Sequence, residues 1–157
     1  MSSCQQSKRL AVAVFGGMLA IVAGGCAINQ PGESTPMKVP ANRTVPLALS
    51  GAQEVPPVTT EAAGTGAFEI PPDKSIAGEI ATTGISATAA HIHEGTAGTN
   101  GPVIVPLTKT GDNTWSVAPS AKLTDAQYES YLAGKLYVNV HSAKYPGGEI
   151  RDQLKPR

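Results

Sequence analysis

Aromatic residues make up only 4% of this 157-residue chain and charged residues only 15%. Basic and acidic side chains stand at 12 each, so no excess of positive charge is available. A nucleic-acid binder would show a basic stripe or a high pI, and that class is set aside. Cysteine is nearly absent, with Cys4 and Cys26 alone. A chain of this length buries roughly two-thirds of its unfolded surface and needs no disulfide to hold a core. The longest apolar run, Leu10 to Gly25, is 16 residues, short of the roughly 20 that span a bilayer. No Gly-x-Ser-x-Gly elbow appears. The glycines of Gly95–Gly101 are followed by no Lys-Ser/Thr pair, so they do not form a phosphate loop. Hydrolase chemistry therefore finds no support. What the chain has in quantity is 17 Gly and 13 Pro, high for a helical bundle yet below the disordered range. Few aromatics and many turn-formers point to short strands.

The first 25 residues read as an export signal. A polar stretch ending in Lys8-Arg9 precedes the apolar run, and small residues close it. Val22-Ala23-Gly24-Gly25-Cys26 resembles a bacterial lipobox, with Ala23 where Leu is common. This predicts cleavage before Cys26 and diacylation of its thiol, which also removes a lone thiol from an oxidising compartment. Taking Lys8 and Arg9 from the 12 basic residues leaves 10 against 12 acidic ones, a net of −2. Attachment to a membrane is then expected through acyl chains and not through a basic face. Residues 26–44, with three Pro and no apolar periodicity, read as a tether. Ala27, not Asp, follows the Cys, so delivery to the outer membrane is expected where the cell has one, with an envelope protein as a candidate partner.

From Val45 to the end the pattern becomes one domain of short runs separated by turn residues. The spacing predicts strands at Val45–Ser50, Gly64–Ile70, Ile76–Thr83, Ala89–Glu94, Val103–Leu107, Thr114–Val117, Leu136–His141 and Glu149–Leu154. Pro71-Pro72-Asp73, Gly111-Asp112-Asn113 and Pro146-Gly147-Gly148 are breaks between them. Thr124-Asp125-Ala126-Gln127 has the form of a capping box and Gly134 of a helix stop, which predicts a helix over Asp125–Ala133. Gln53–Pro57 reads as an edge segment because proline cannot donate to a central ladder. The expected fold is all-β, a mainly antiparallel, Greek-key-like β-sandwich of about eight strands with one short helix.

Three passages resemble the CHRD domain, a family named for its copies in chordin and found in bacterial secreted proteins. They are Leu49-Ser50-Gly51-Ala52-Gln53-Glu54-Val55-Pro56-Pro57-Val58; Ala90-His91-Ile92-His93-Glu94-Gly95, continued by Gly98–Val103; and Gly134–His141, continued by Tyr145-Pro146-Gly147-Gly148-Glu149-Ile150-Arg151. Asp152 stands where the family pattern usually has a second Gly. The resemblance implies an extracytoplasmic β-domain, and it assigns no catalytic residue.

All three histidines of the chain lie in these motifs. Strand side chains alternate, so His91 and His93 share a face, while Tyr137, Asn139 and His141 share the face opposite Leu136, Val138 and Val140. Should the two strands be neighbours, three imidazoles converge, a ligand set suited to copper or zinc. His-Ile-His-Glu-Gly is also similar to the copper-binding strand of copper–zinc superoxide dismutases. A fourth copper His and the zinc-loop ligands have no counterpart, which weighs against dismutase activity. Glu94, Asn139, Glu149 and Arg151 are the candidates to orient the rings from behind. The other reading of the same residues is a hydrogen-bond cluster that pins the loops. Two functions therefore stand side by side: a non-hydrolytic binding or structural module of the envelope, or a copper- or zinc-handling envelope protein using His91, His93 and His141.

Overall fold

The computed structural model describes residues 44–157. The expected signal, Cys26 and all of the expected tether except Thr44 lie outside the described residues. Eight strands and one helix follow in order: β1 (Thr44–Ser50), β2 (Ala63–Glu69), β3 (Ala77–Thr83), β4 (Ala87–Glu94), β5 (Val103–Lys109), β6 (Thr114–Val117), α1 (Asp125–Leu132), β7 (Leu136–Ser142) and β8 (Ile150–Leu154). Each corresponds to a predicted element within a few residues at its ends. Thr44, expected at the end of the tether, already belongs to β1. Among the described residues no helix is long and apolar enough to cross a membrane.

The strands close into a barrel in the order β1-β2-β3-β6-β5-β4-β7-β8, antiparallel throughout. This corrects the expected sandwich. Within the sheet, β3-β6-β5-β4 has the Greek-key order. The difference lies at one seam, where β1 meets β8 through Ser50 opposite Arg151. Side chains carry the seam on from there. The Ala48 N–H donates to Asp152 Oδ2 at 2.8 Å, and the Ala48 carbonyl accepts from Gln53 Nε2 at 2.8 Å. Closure removes the exposed edges that an open sheet leaves. With no open edge left, Gln53–Pro57 is not the expected edge segment: Gly51–Gln53 form one 3-10 turn and the chain runs on to β2 without a strand.

Inward-facing residues alternate as period-2 strands require. Val45, Leu47 and Leu49 of β1 and Leu136, Val138 and Val140 of β7 are buried with Phe68, Ile80, Ile92 and Trp115 in a single core. Helix α1 links β6 to β7 and starts on the expected capping box. Thr124 Oγ1 accepts from the Gln127 N–H at 3.2 Å, and Gln127 Oε1 accepts from the Thr124 N–H at 2.9 Å. After the helix, Gly134 takes φ 68°, a left-handed turn that glycine adopts without strain.

Strand β7 departs from simple alternation, because its outer face is buried as well. Tyr137 and Asn139 are each 2% exposed, and on the adjoining β8 Arg151 is 1% exposed. Two loops cover them. The loop after β4 is tied down where Arg151 donates to the Thr96 carbonyl at 3.2 Å and Gln153 Nε2 to the Gly95 carbonyl at 2.8 Å. It joins the loop after β1 where Asn100 Nδ2 donates to the Val55 carbonyl at 2.8 Å. A polar layer is thus sealed between the barrel wall and these two loops.

Candidate metal centre

Antiparallel pairing of β4 with β7 sets the site. His91 lies opposite Asn139, His93 opposite Tyr137, and Ala89 opposite His141. His91 and His93 share the outer face of β4, and His141 sits diagonally from His91 on the same face. The ring centroids of His91 and His141 are 4.8 Å apart, those of His91 and His93 5.6 Å, and those of His93 and His141 6.1 Å. One ligand nitrogen from each ring lies within 4.8 Å of the others. His93 is buried, while His91 and His141 are half-buried.

Backbone carbonyls orient two of the rings. His93 Nδ1 donates to the Gly101 carbonyl at 2.9 Å, and His141 Nδ1 donates to the Pro146 carbonyl at 3.0 Å. A carbonyl only accepts, so each of these Nδ1 atoms carries its proton and each Nε2 of the neutral ring keeps a lone pair. His91 Nδ1 then donates to His141 Nε2 across 2.9 Å. His93 Nε2 is buried with no hydrogen-bond partner. An orphaned acceptor of this kind calls for a ligand or another explanation. Burial holds the His91 imidazole below its ordinary value, helped by the like charge that His141 and His93 would carry. Burial also depresses His141, opposed in part by its bond to the Pro146 carbonyl. These two rings therefore resist protonation, and a neutral ring is what ligates a metal.

The residues expected to stand behind the rings divide into two pairs. Glu94 is turned to the helix, where its Oε1 accepts from Ser130 Oγ at 2.6 Å. Glu149 accepts from Thr60 Oγ1 at 2.6 Å and from Ser142 Oγ at 2.5 Å, away from the imidazoles. Asn139 and Arg151 do lie in the buried layer beside the histidines. In register, His91, Asn139 and Arg151 form one row across β4, β7 and β8, and His93, Tyr137 and Gln153 form the next.

Tyr137 is the member of this layer that the sequence placed on the right face without a role. Its ring stacks on His93 at 4.9 Å with an interplanar angle of 9°, and the Arg151 guanidinium lies 3.4 Å from its centroid. Strands β4 and β8 flank β7 on opposite sides, so Tyr137 is held between the two. Its hydroxyl accepts from the Gly101 N–H at 3.1 Å. Gly101 therefore secures the tyrosine through its N–H and the histidine through its carbonyl. Glu54, 4% exposed, closes the layer from the first loop, and burial pushes its carboxyl upward against the lowering effects of the Val55 N–H and Arg151. The proximity of Glu54 was not readable from strand alternation, since it comes from a loop.

A family model described as the CHRD domain matches residues 45–154. No curated protein and no solved structure matches the chain.

Proposed function

We propose, from the premise that this chain belongs to the CHRD domain family, that its barrel is a non-hydrolytic binding module whose three-histidine cluster holds a copper or zinc ion. The observation that carries this reading is the convergence of His91, His93 and His141 nitrogens within 4.8 Å, with the rings of His93 and His141 fixed by carbonyls. Ligating histidines ordinarily give their other N–H to a carbonyl or carboxylate, which sets tautomer and direction together. Three protein ligands leave a position open, as suits a carrier or a simple redox site. The test is metal analysis of the full chain after equilibration with Cu(II) or Zn(II). One ion per chain is expected, and none in His93→Ala; a folded wild type that retains no metal sinks the reading.

A second reading is favoured by the 2.9 Å bond between His91 and His141. There the imidazoles form a hydrogen-bonded clasp, and the domain is a purely structural or protein-binding module. The two differ in what metal does to stability: an ion held by the native state raises the melting temperature, and a clasp leaves it unchanged.

We propose further that the module is presented on an envelope membrane by acyl chains on Cys26. The export signal, the small residues before Cys26 and the tether support this. Intact-mass measurement of the membrane-extracted chain should give a species beginning at Cys26 and heavier by its acyl groups. A mature chain with an unmodified Cys26 thiol would rule it out.

A further inference from the structure

Resting on the metal reading of the cluster, we infer that the site is built for monovalent copper in preference to a divalent ion. Two features of its surroundings carry this.

The first is the donor set. Once an ion takes the place of the proton that His91 Nδ1 donates to His141 Nε2, every nitrogen offered is that of a neutral imidazole, and no carboxylate joins them. Glu94 and Glu149, the acidic residues nearest in the motifs, are committed to Ser130 and to Thr60 and Ser142. Zn(II) favours four ligands in a tetrahedron, and Cu(II) a tetragonal set. Monovalent copper accepts three nitrogens in a plane, needs no fourth ligand, and brings one less charge into a half-buried site.

The second is a fixed positive charge. Arg151 is 1% exposed, and among the described residues no carboxylate lies at ion-pair distance from it. Its hydrogen bonds go to neutral oxygens: Asn100 Oδ1 at 3.3 Å, the Thr96 carbonyl at 3.2 Å and Gln153 Oε1 at 3.4 Å. Glu54 is its nearest acidic influence but makes no ion pair with it; burial raises that carboxyl above its ordinary value against the opposing pull of Arg151. The guanidinium stays charged, and only the Tyr137 ring separates it from His93. Through such a poorly screened path, each added unit of charge on the ion is opposed, by roughly tenfold in affinity at this range. Arg151 is thus a positioning residue in two senses: it stacks the ring that stacks His93, and it biases the charge the site accepts.

The experiment is a competition on the full chain. Cu(I), held under anaerobic reducing conditions with a chromophoric chelator, is compared with Zn(II) against a zinc chelator, and X-ray absorption counts the nitrogens around the copper. One Cu(I) per chain is expected, with three nitrogen neighbours and at least about tenfold tighter binding than Zn(II). Arg151→Gln should narrow that gap about tenfold, and Arg151→Lys should keep most of it. Zn(II) binding as tightly as Cu(I), or an unchanged gap in a folded Arg151→Gln, overturns the inference. Should Arg151→Gln not fold, the wild-type gap and the nitrogen count decide alone. If Zn(II) binds without a Cu(I) preference, only this inference falls; if neither ion binds, the metal reading falls with it.

Discussion

Saturating metal is expected to raise the melting temperature of the full chain by roughly 10 °C, and His93→Ala to abolish the rise. An ion that binds only the native state at a hundredfold excess over its Kd adds about 2.7 kcal/mol, and a domain of this size gains roughly 4 °C per kcal/mol. His93 is the most informative position. Its Nε2 is a buried acceptor without a partner, so the wild type pays for that orphan in the metal-free state and recovers it on binding. If the clasp reading holds, metal leaves the melting temperature unchanged, while His93→Ala costs about 1–3 kcal/mol because the Gly101 carbonyl loses its donor. Acid provides a second axis. His91 and His141 are held below their ordinary value in the fold, whereas the unfolded chain titrates near about 6.5. As pH falls through that value the unfolded state takes up protons first, so their contribution to stability declines from there down to the depressed folded values and then levels. Metal binding should persist below the pH at which free imidazole releases it, and fail once the folded rings protonate. Thermal melts at a series of pH values, with and without metal, read both effects.

The strands were legible because each ends on a residue with a local reason to turn, as at Gly111-Asp112-Asn113 or Pro146-Gly147-Gly148. The helix was legible from Thr124 and Gln127, which satisfy one another's backbone groups within four residues. Closure was not. It depends on Ser50 meeting Arg151 and on Asp152 reaching Ala48, contacts a hundred residues apart that no local pattern encodes. Asp152 stands in the sequence where the family usually has glycine, but its task at the seam follows only from the register of β8. The site divides in the same way. Period-2 alternation put His91 with His93, and Tyr137 with Asn139 and His141, and the β4–β7 pairing did the rest. The groups that orient the rings were missed because they are main-chain carbonyls of Gly101 and Pro146, and a carbonyl leaves no mark on residue type. Glu94 and Glu149 looked better placed by sequence proximity, yet hydroxyls from Ser130, Thr60 and Ser142 bind them elsewhere. The one available signal was glycine itself at position 101.

Gly101→Ala should therefore be among the most damaging single substitutions outside the core, and damaging to the site in particular. A Cβ there would sit 1.7 Å from the Glu94 carbonyl oxygen and 2.7 Å from its carbon. Both are backbone atoms of β4, which cannot swing aside as a side chain would. The loop would have to lift, and with it the bond from the Glu94 N–H to the Pro102 carbonyl at 3.0 Å. Lifting also breaks the Gly101 N–H bond to Tyr137 and the Gly101 carbonyl bond to His93. Overpacking and unpaired buried groups together are expected to cost about 2–4 kcal/mol. Loss of the carbonyl behind His93 should weaken metal binding by a further 10- to 100-fold in whatever fraction remains folded. Gly147→Ala is the matched control: it lies beside Pro146, whose carbonyl orients His141, but a Cβ there meets nothing within 4 Å. It should leave melting temperature and metal affinity within error of the wild type. Equal stability of the two variants in a denaturant titration would show that the flap over β4 and β7 is not held by Gly101, and the rigid His93–Gly101–Tyr137 unit would have to be abandoned. A Gly101→Ala variant that loses the expected stability but keeps its metal affinity would instead separate the flap from the ligands, leaving ring stacking by Tyr137 as the element that aims His93.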